Sequence, residues 1–224
     1  SGGFGESDWG GGVFVKGGSK PILDSLIIDG NIGGGLYGSA GGGGLCVIHN
    51  GNVKISNSII SNTTSESESG GIFTCGSGEI KASNCLIVNN FYYGVSNGCN
   101  SGGPGAIELI NCTVTNNHAG LYCMGEVSVS SSVIYDNLYN GLNYDITGGG
   151  TLTMNNTLIQ GGYEGEGNID GNPLFCYPDS GDYTLAENSP CVGYGEGGSN
   201  IGAFGVGCEA LILEPVLTDI SDQQ

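Results

Sequence analysis

One ten-residue pattern returns five times along this chain, and a chain that repeats itself in this way has few folds open to it. Val53-Lys-Ile-Ser-Asn-Ser-Ile-Ile-Ser-Asn62, Ile80-Lys-Ala-Ser-Asn-Cys-Leu-Ile-Val-Asn89, Ile107-Glu-Leu-Ile-Asn-Cys-Thr-Val-Thr-Asn116, Val127-Ser-Val-Ser-Ser-Ser-Val-Ile-Tyr-Asp136 and Leu152-Thr-Met-Asn-Asn-Thr-Leu-Ile-Gln-Gly161 align without gaps. A shorter copy, Ile22-Leu-Asp-Ser-Leu-Ile-Ile-Asp29, precedes them. A Gly-apolar pair introduces each unit: Gly12-Val13, Gly44-Leu45, Gly71-Ile72, Gly94-Val95, Gly120-Leu121 and Gly141-Leu142. The period of roughly 21 to 32 residues is that of a solenoid, in which one unit cannot bury its apolar face alone and stacked units share a core.

Alternation within each unit has period two, the signature of strands. Each unit reads as three short strands separated by turns. The predicted fold is all-β, a right-handed parallel β-helix of about six or more coils with a C-terminal cap. Three inward columns follow from the alignment: Val53, Ile80, Ile107, Val127 and Leu152; then Ile55, Ala82, Leu109, Val129 and Met154; then Ile60, Ile87, Val114, Ile134 and Ile159. Polar residues stack as well. Asp24, Asn57, Asn84, Asn111, Ser131 and Asn156 share the bend between the second and third strands, and Asp29, Asn62, Asn89, Asn116 and Asp136 the end of the third. Asn at a bend tolerates left-handed geometry, and in register its amides can bond one another. Cys85 and Cys112 share an inward column with Ser58, Ser132 and Thr157. They read as small packing residues, able to bond across coils if the geometry permits.

Charge narrows the function. Asp and Glu number 22 against four lysines and no arginine, for a formal net charge of −18. That argues against nucleic acid, because phosphate binding needs basic side chains, and against an anionic membrane surface. It suits cation binding, a salty habitat or plain solubility. No apolar run is long enough for membrane insertion. Nine cysteines without a C-x-x-C pair fit an exported protein with some disulfides. Cys75 and Cys99, at nearly matching places after the first strand, form the expected disulfide. With no signal peptide visible at Ser1, the chain reads as a mature product or an excised domain.

From residue 168 the pattern changes. Asn168-Ile-Asp-Gly-Asn-Pro-Leu-Phe175, Ser180-Gly-Asp-Tyr-Thr-Leu185, Asn188-Ser-Pro-Cys-Val192 and Asn200-Ile-Gly-Ala-Phe204 follow in order. These pieces resemble the closing segment of secreted right-handed β-helix repeat proteins. The coils, with Gly-Gly-Ile72-Phe and Asn84-Cys-Leu-Ile-Val-Asn-Asn90, resemble the same broad group, which includes pectate-lyase-like folds and polymorphic outer-membrane or surface proteins of bacteria. The resemblance runs from about residue 10 to about 208 and specifies fold more than function. It implies a helix with its cap over residues 1–208, the cap being 168–208. Leu174, Phe175, Tyr183, Leu185 and Phe204 would cover the open last coil, with Cys176 and Cys191 as a staple. Residues 209–224 break the repeat and read as a linker towards a following domain of a larger surface protein.

Candidate chemistry is sparse. A pectate-lyase-like enzyme needs a basic residue beside carboxylates that hold Ca²⁺. Lys54, Lys81 and Glu108 stack on the outward face of the second strand and are the nearest approach, with a solvated face and one ion pair as the plainer reading. No Asp pair suited to sugar hydrolysis recurs in the coils. Binding is better supported. Tyr92, His118 and Tyr139 fall in equivalent turn positions beside Asn90, Asn117 and Asn137, and aromatic faces flanked by amides suit sugar rings. Phe14, Phe73 and Tyr122 form a second outward column, and both stripes can instead pack under loops. Glu66, Glu68, Asp170 and Asp182 are weak calcium candidates, and no other cofactor is implied.

The sequence therefore reads as a non-catalytic β-helix module of an exported bacterial surface protein, serving adhesion, glycan binding or structural spacing. Its partner would be an extracellular polysaccharide or cell-surface glycan. A Ca²⁺-dependent polysaccharide lyase acting on uronates and a self-assembling extracellular element are the alternatives.

Overall fold

The computed structural model describes residues 10–34, 41–65, 69–98, 103–139, 142–143 and 146–212. Three parallel sheets of six strands each run up a right-handed β-helix. The first holds Val13–Val15, Leu45–Ile48, Ser69–Cys75, Tyr93–Asn97, Ala119–Cys123 and Ile146–Thr147. The second holds Ile22–Asp24, Asn52–Ser56, Glu79–Ser83, Ala106–Ile110, Glu126–Ser130 and Thr151–Asn155. The third holds Ile27–Asp29, Ile59–Ser61, Leu86–Val88, Thr113–Thr115, Val133–Tyr135 and Leu158–Ile159.

The predicted columns are in register. Val53, Ile80, Ile107, Val127 and Leu152 pair in succession, as do Ile55, Ala82, Leu109, Val129 and Met154. With Ile60, Ile87, Val114, Ile134 and Ile159 they fill one continuous core, Leu152 being partly buried at its last coil. Asn57, Asn84, Asn111, Ser131 and Asn156 take positive φ at the second bend, and Asn62, Asn89, Asn116 and Asp136 at the third. Asp24 and Asp29 do not share these positions. They pair with Ser56 and Ser61, one residue earlier, and Ser25 and Gly30 take the left-handed geometry. The shift lets both carboxylates accept from the next coil, Asp24 from Ser56 and Asn57, Asp29 from Ser61 and Asn62.

Two polar ladders run inside the helix. In one, Ser58 Oγ, Cys85 Sγ, Cys112 Sγ, Ser132 Oγ and Thr157 Oγ1 each donate to the carbonyl two residues back. The hydroxyls of Ser58 and Ser132 accept from backbone N–H groups one coil earlier, at Leu26 and Cys112. Cys85 and Cys112 are buried free thiols, not a cross-coil disulfide. The other ladder runs through Thr63, Asn90, Asn117 and Asn137, described below.

The sixth coil departs from the predicted spacing. Leu121 pairs with Ile146, not Leu142, and Leu142–Asn143 pairs antiparallel with Leu138–Tyr139 as an inserted hairpin. Phe73 is fully buried with Cys46, Ile48 and Cys75 on the outer side of the first sheet, so it is no part of a ligand stripe.

The C-terminal segment lies elsewhere than expected. Phe175, Tyr183 and Leu185, with Phe204 at the margin, do not sit over the last coil. They pack along the outside of the third sheet, against Leu86, Val88, Val133 and Leu158. The cause is in the strands: Leu86-Ile87-Val88 is apolar on both faces, and a strand of that kind needs a second layer. Gly202 N–H donates to Ser131 O and Ala203 N–H to Thr113 Oγ1, fixing the segment sideways to the coils. The stretch before it lies along the edge of the last coil, where Glu166 O accepts from Asn156 N–H and Ile169 O from Ile159 N–H. There Asn168 Oδ1 accepts from Thr157 N–H, and its Nδ2 donates to Met154 O.

The segment's disulfide joins Cys176 to Cys208, with a Cα–Cα distance of 5.9 Å, and Cys191 is a buried free thiol. Cys191 instead packs with Leu185 and Ile201 in the layer beneath the segment. Cys75 is disulfide-bonded. Cys99, its expected partner, lies outside the described residues.

Candidate functional site

Because the C-terminal segment flanks the third sheet, a cleft opens between them, of about 600 Å³. Asn89, Thr115, Asn116, Tyr135 and Asp136 form the solenoid wall, and Asn172, Leu174, Phe175, Pro178, Asp179 and Tyr183 face them from the segment. Backbone geometry places the first wall. Thr115 and Tyr135 occupy the outward column at the end of the third sheet. Asn89, Asn116 and Asp136 follow with φ of 56°, 52° and 56°, a geometry that Asn and Asp accept more readily than most residues. Asn116 Nδ2 donates to Asn89 Oδ1, so the exposed amides form a short chain along the wall.

On the opposite wall Tyr183 packs edge-on against Phe175, with ring centroids 5.3 Å apart. Burial pushes the Tyr183 phenol above its ordinary pKa; a hydrogen bond with Asn116 pulls it down, and the charges of Asp136 and Asp179 push it up. The phenol therefore stays a neutral hydrogen-bonding group near pH 7. Leu174 holds φ of 51°, an unusual geometry for a bulky side chain, where the segment turns into the cleft. Aromatic, amide and carboxylate groups thus face one another across a volume suited to a small ligand or a short stretch of polymer.

Tyr92 and His118 do fall in equivalent places, and their rings are 6.2 Å apart. The more exposed member is Phe91, which stacks on His118 at 5.0 Å and meets Tyr92 edge-on at 4.9 Å. This cluster begins two residues after Asn89, in the same turn as the cleft wall. Tyr139 belongs to the inserted hairpin, which removes it from the column.

Asn90, Asn117 and Asn137 were expected beside the aromatic stripe as ligand groups. They point inward and are 2%, 2% and 0% exposed. The left-handed residue before each reverses the side-chain direction. Asn90 Nδ2 donates to Asn117 Oδ1 at 2.9 Å, and Thr63 Oγ1 donates to Asn90 Oδ1 at 2.7 Å. Their amides are consumed in the core and are out of a ligand's reach.

Lys54, Lys81 and Glu108 stack in register on the outward face of the second sheet. Lys81 Nζ lies 2.9 Å from Glu108 Oε2, with both side chains nearly half exposed. A depression of about 310 Å³ surrounds them, with Asn52, Glu79, Glu126 and Ser128 along it. Of the two lysines a lyase could use as base, Lys81 is engaged by a carboxylate, and Asn52 Nδ2 donates to Glu79.

Of the acidic residues considered for calcium, Asp170 and Asp182 are each engaged locally. Asp170 accepts from Gly161 N–H, and Asp182 from Thr184 N–H and Oγ1. Glu66 and Glu68 lie outside the described residues. Among the described residues, no group of three or more His, Cys, Asp or Glu is arranged to hold a metal ion, and no helix is long and apolar enough to cross a membrane. No protein-family model, no curated protein and no solved structure matches the chain.

Proposed function

We propose that the protein is a non-catalytic β-helix module of an exported bacterial surface protein, holding extracellular polysaccharide in the cleft between the third sheet and the C-terminal segment. The cleft itself carries this reading. It sets Tyr135 and Asn116 against Tyr183 and Pro178, so that apolar ring faces and hydroxyls of a sugar each meet a suitable surface. Phe91 and His118 extend an aromatic surface from the same turn. The Cys176–Cys208 disulfide is compatible with an oxidising, extracellular setting.

Titration calorimetry with a panel of oligosaccharides, with product analysis of the same mixtures, tests the proposal. Binding that is weakened by Tyr135→Ala, with the ligands recovered intact, supports it. Absence of binding across the panel, or recovery of shortened or unsaturated products, overturns it.

A Ca²⁺-dependent lyase acting on uronates is the second reading, favoured by the depression that gathers both lysines with Glu79, Glu108 and Glu126. It requires unsaturated product, detected by its ultraviolet absorbance and abolished by Lys81→Ala or Lys54→Ala.

A further inference from the structure

Resting on the glycan-binding reading of the cleft, we infer that its ligand is a cationic polysaccharide, an amino-sugar polymer bearing free amines, with Asp136 and Asp179 as the groups that select it. The two carboxylates come from opposite walls, Asp136 from the solenoid turn and Asp179 from the segment. No lysine lines the cleft, and the chain has no arginine. A uronate entering here would meet two like charges and no counter-charge.

Several of the protein's carboxylates are engaged locally. Asp24 and Asp29 are held by Ser and Asn side chains of the next coil, Asp170 by a backbone N–H, Asp182 by Thr184 and Glu108 by Lys81. Such partners satisfy the charge locally and leave little for a ligand. Among the described residues, no hydrogen bond or ion pair engages the carboxylate of Asp136 or of Asp179. Both remain free to accept from an ammonium group.

Nor does the turn need the charge at Asp136. In the preceding coils the same left-handed position is filled by Asn62, Asn89 and Asn116, with φ near that of Asp136. An asparagine would serve the backbone equally well. The acid appears at the coil that faces Asp179. Amide groups of Asn89 and Asn116 supply donors and acceptors for hydroxyls, and Tyr135 and Pro178 supply apolar surface for ring faces.

The test compares soluble chitosan oligosaccharides with fully acetylated chitin oligosaccharides and oligogalacturonates of matched length, by titration calorimetry at low and raised salt. The expected order is free amine, then acetylated, then uronate. The free amine should bind roughly fivefold or more tightly than the acetylated form, an advantage that shrinks with salt. Asp136→Asn with Asp179→Asn should abolish that advantage while leaving the acetylated ligand bound. Asp136→Asn matches the residue type of the preceding coils, and circular dichroism and thermal midpoint report whether the fold is kept. A second double variant, Glu79→Gln with Glu126→Gln, removes equal charge from the second-sheet face. If it lowers the advantage equally, the preference is general attraction to an acidic protein and the inference falls. Equal binding of amine and acetylated ligands also overturns it and leaves the glycan reading standing. Failure of every ligand to bind removes both.

Discussion

Asn117 donates from Nδ2 to Asn137 Oδ1 at 3.0 Å, one coil apart, and both amides are buried in the solenoid interior. The same Nδ2 donates to the Ile87 and Thr115 carbonyls, while Asn117 Oδ1 accepts from the backbone and side chain of Asn90. Buried polar ladders of this kind satisfy backbone groups that the turns leave without strand partners. Asn117→Ala strands several of them at once and should cost about 2–4 kcal/mol, read as a fall in urea midpoint. Asn116→Ala, at the exposed left-handed position next door, should cost about 1–2 kcal/mol through backbone geometry. Equal effects would contradict the distinction between the two columns.

The lateral segment gives a second prediction. Cys176 and Cys208 close a loop with a sequence separation of 32. Loop-closure entropy assigns such a bond about 3–4 kcal/mol. Replacing both cysteines, Cys176→Ser with Cys208→Ser, should therefore loosen the segment before the coils, seen as faster amide exchange at Phe175 and Leu185 while Ile107 and Leu109 stay protected. Peptide mapping after alkylation in denaturant should recover Cys176 joined to Cys208 and Cys191 alkylated. A Cys176–Cys191 peptide would refute the pairing.

Much of the helix was legible because its columns obey period two. Lys54, Lys81 and Glu108 could be aligned from their neighbours alone, and the pairing places them in register. The inward asparagines were misread because a left-handed residue reverses side-chain direction, and alternation does not carry across it. The recurrence of Asn90, Asn117 and Asn137 just after Asn89, Asn116 and Asp136 was the available signal. The cleft was hidden for a different reason. It depends on the segment lying beside the third sheet, and the hint was a set of third strands apolar on both faces, Leu86-Ile87-Val88, Val133-Ile134 and Leu158-Ile159, where one face would have sufficed for the core. Asp136 and Asp179 are 43 positions apart (179 − 136), and no local pattern links them.

Alkaline pH should destabilise the fold through its buried thiols. Burial pushes Cys46 and Cys123 up to about 12 from an ordinary value of 9.0. In the unfolded chain both thiols ionise near 9, whereas the folded protein holds them neutral. Their contribution is therefore intact below pH 9 and is lost as pH rises from there towards 12. Urea midpoints measured across that range should fall, and Cys46→Ala should flatten the slope even though it lowers stability at neutral pH.

Lys81→Ala should be nearly silent. The ion pair with Glu108 is nearly half exposed on both sides, and such pairs contribute about 0–1 kcal/mol. The variant should keep its thermal midpoint within a few degrees and bind oligosaccharide as the parent does. Loss of binding would move the site to the second sheet.

Hydroxyl-radical footprinting of the protein with and without bound oligosaccharide tests the location of the site most directly. Protection should centre on Tyr135 and Pro178, extend to Phe91 and His118, and leave Lys54, Lys81 and their neighbours on the second sheet unchanged. Protection centred on the second sheet, with Tyr135 and Pro178 still fully reactive, would contradict the assignment of the cleft as the binding site.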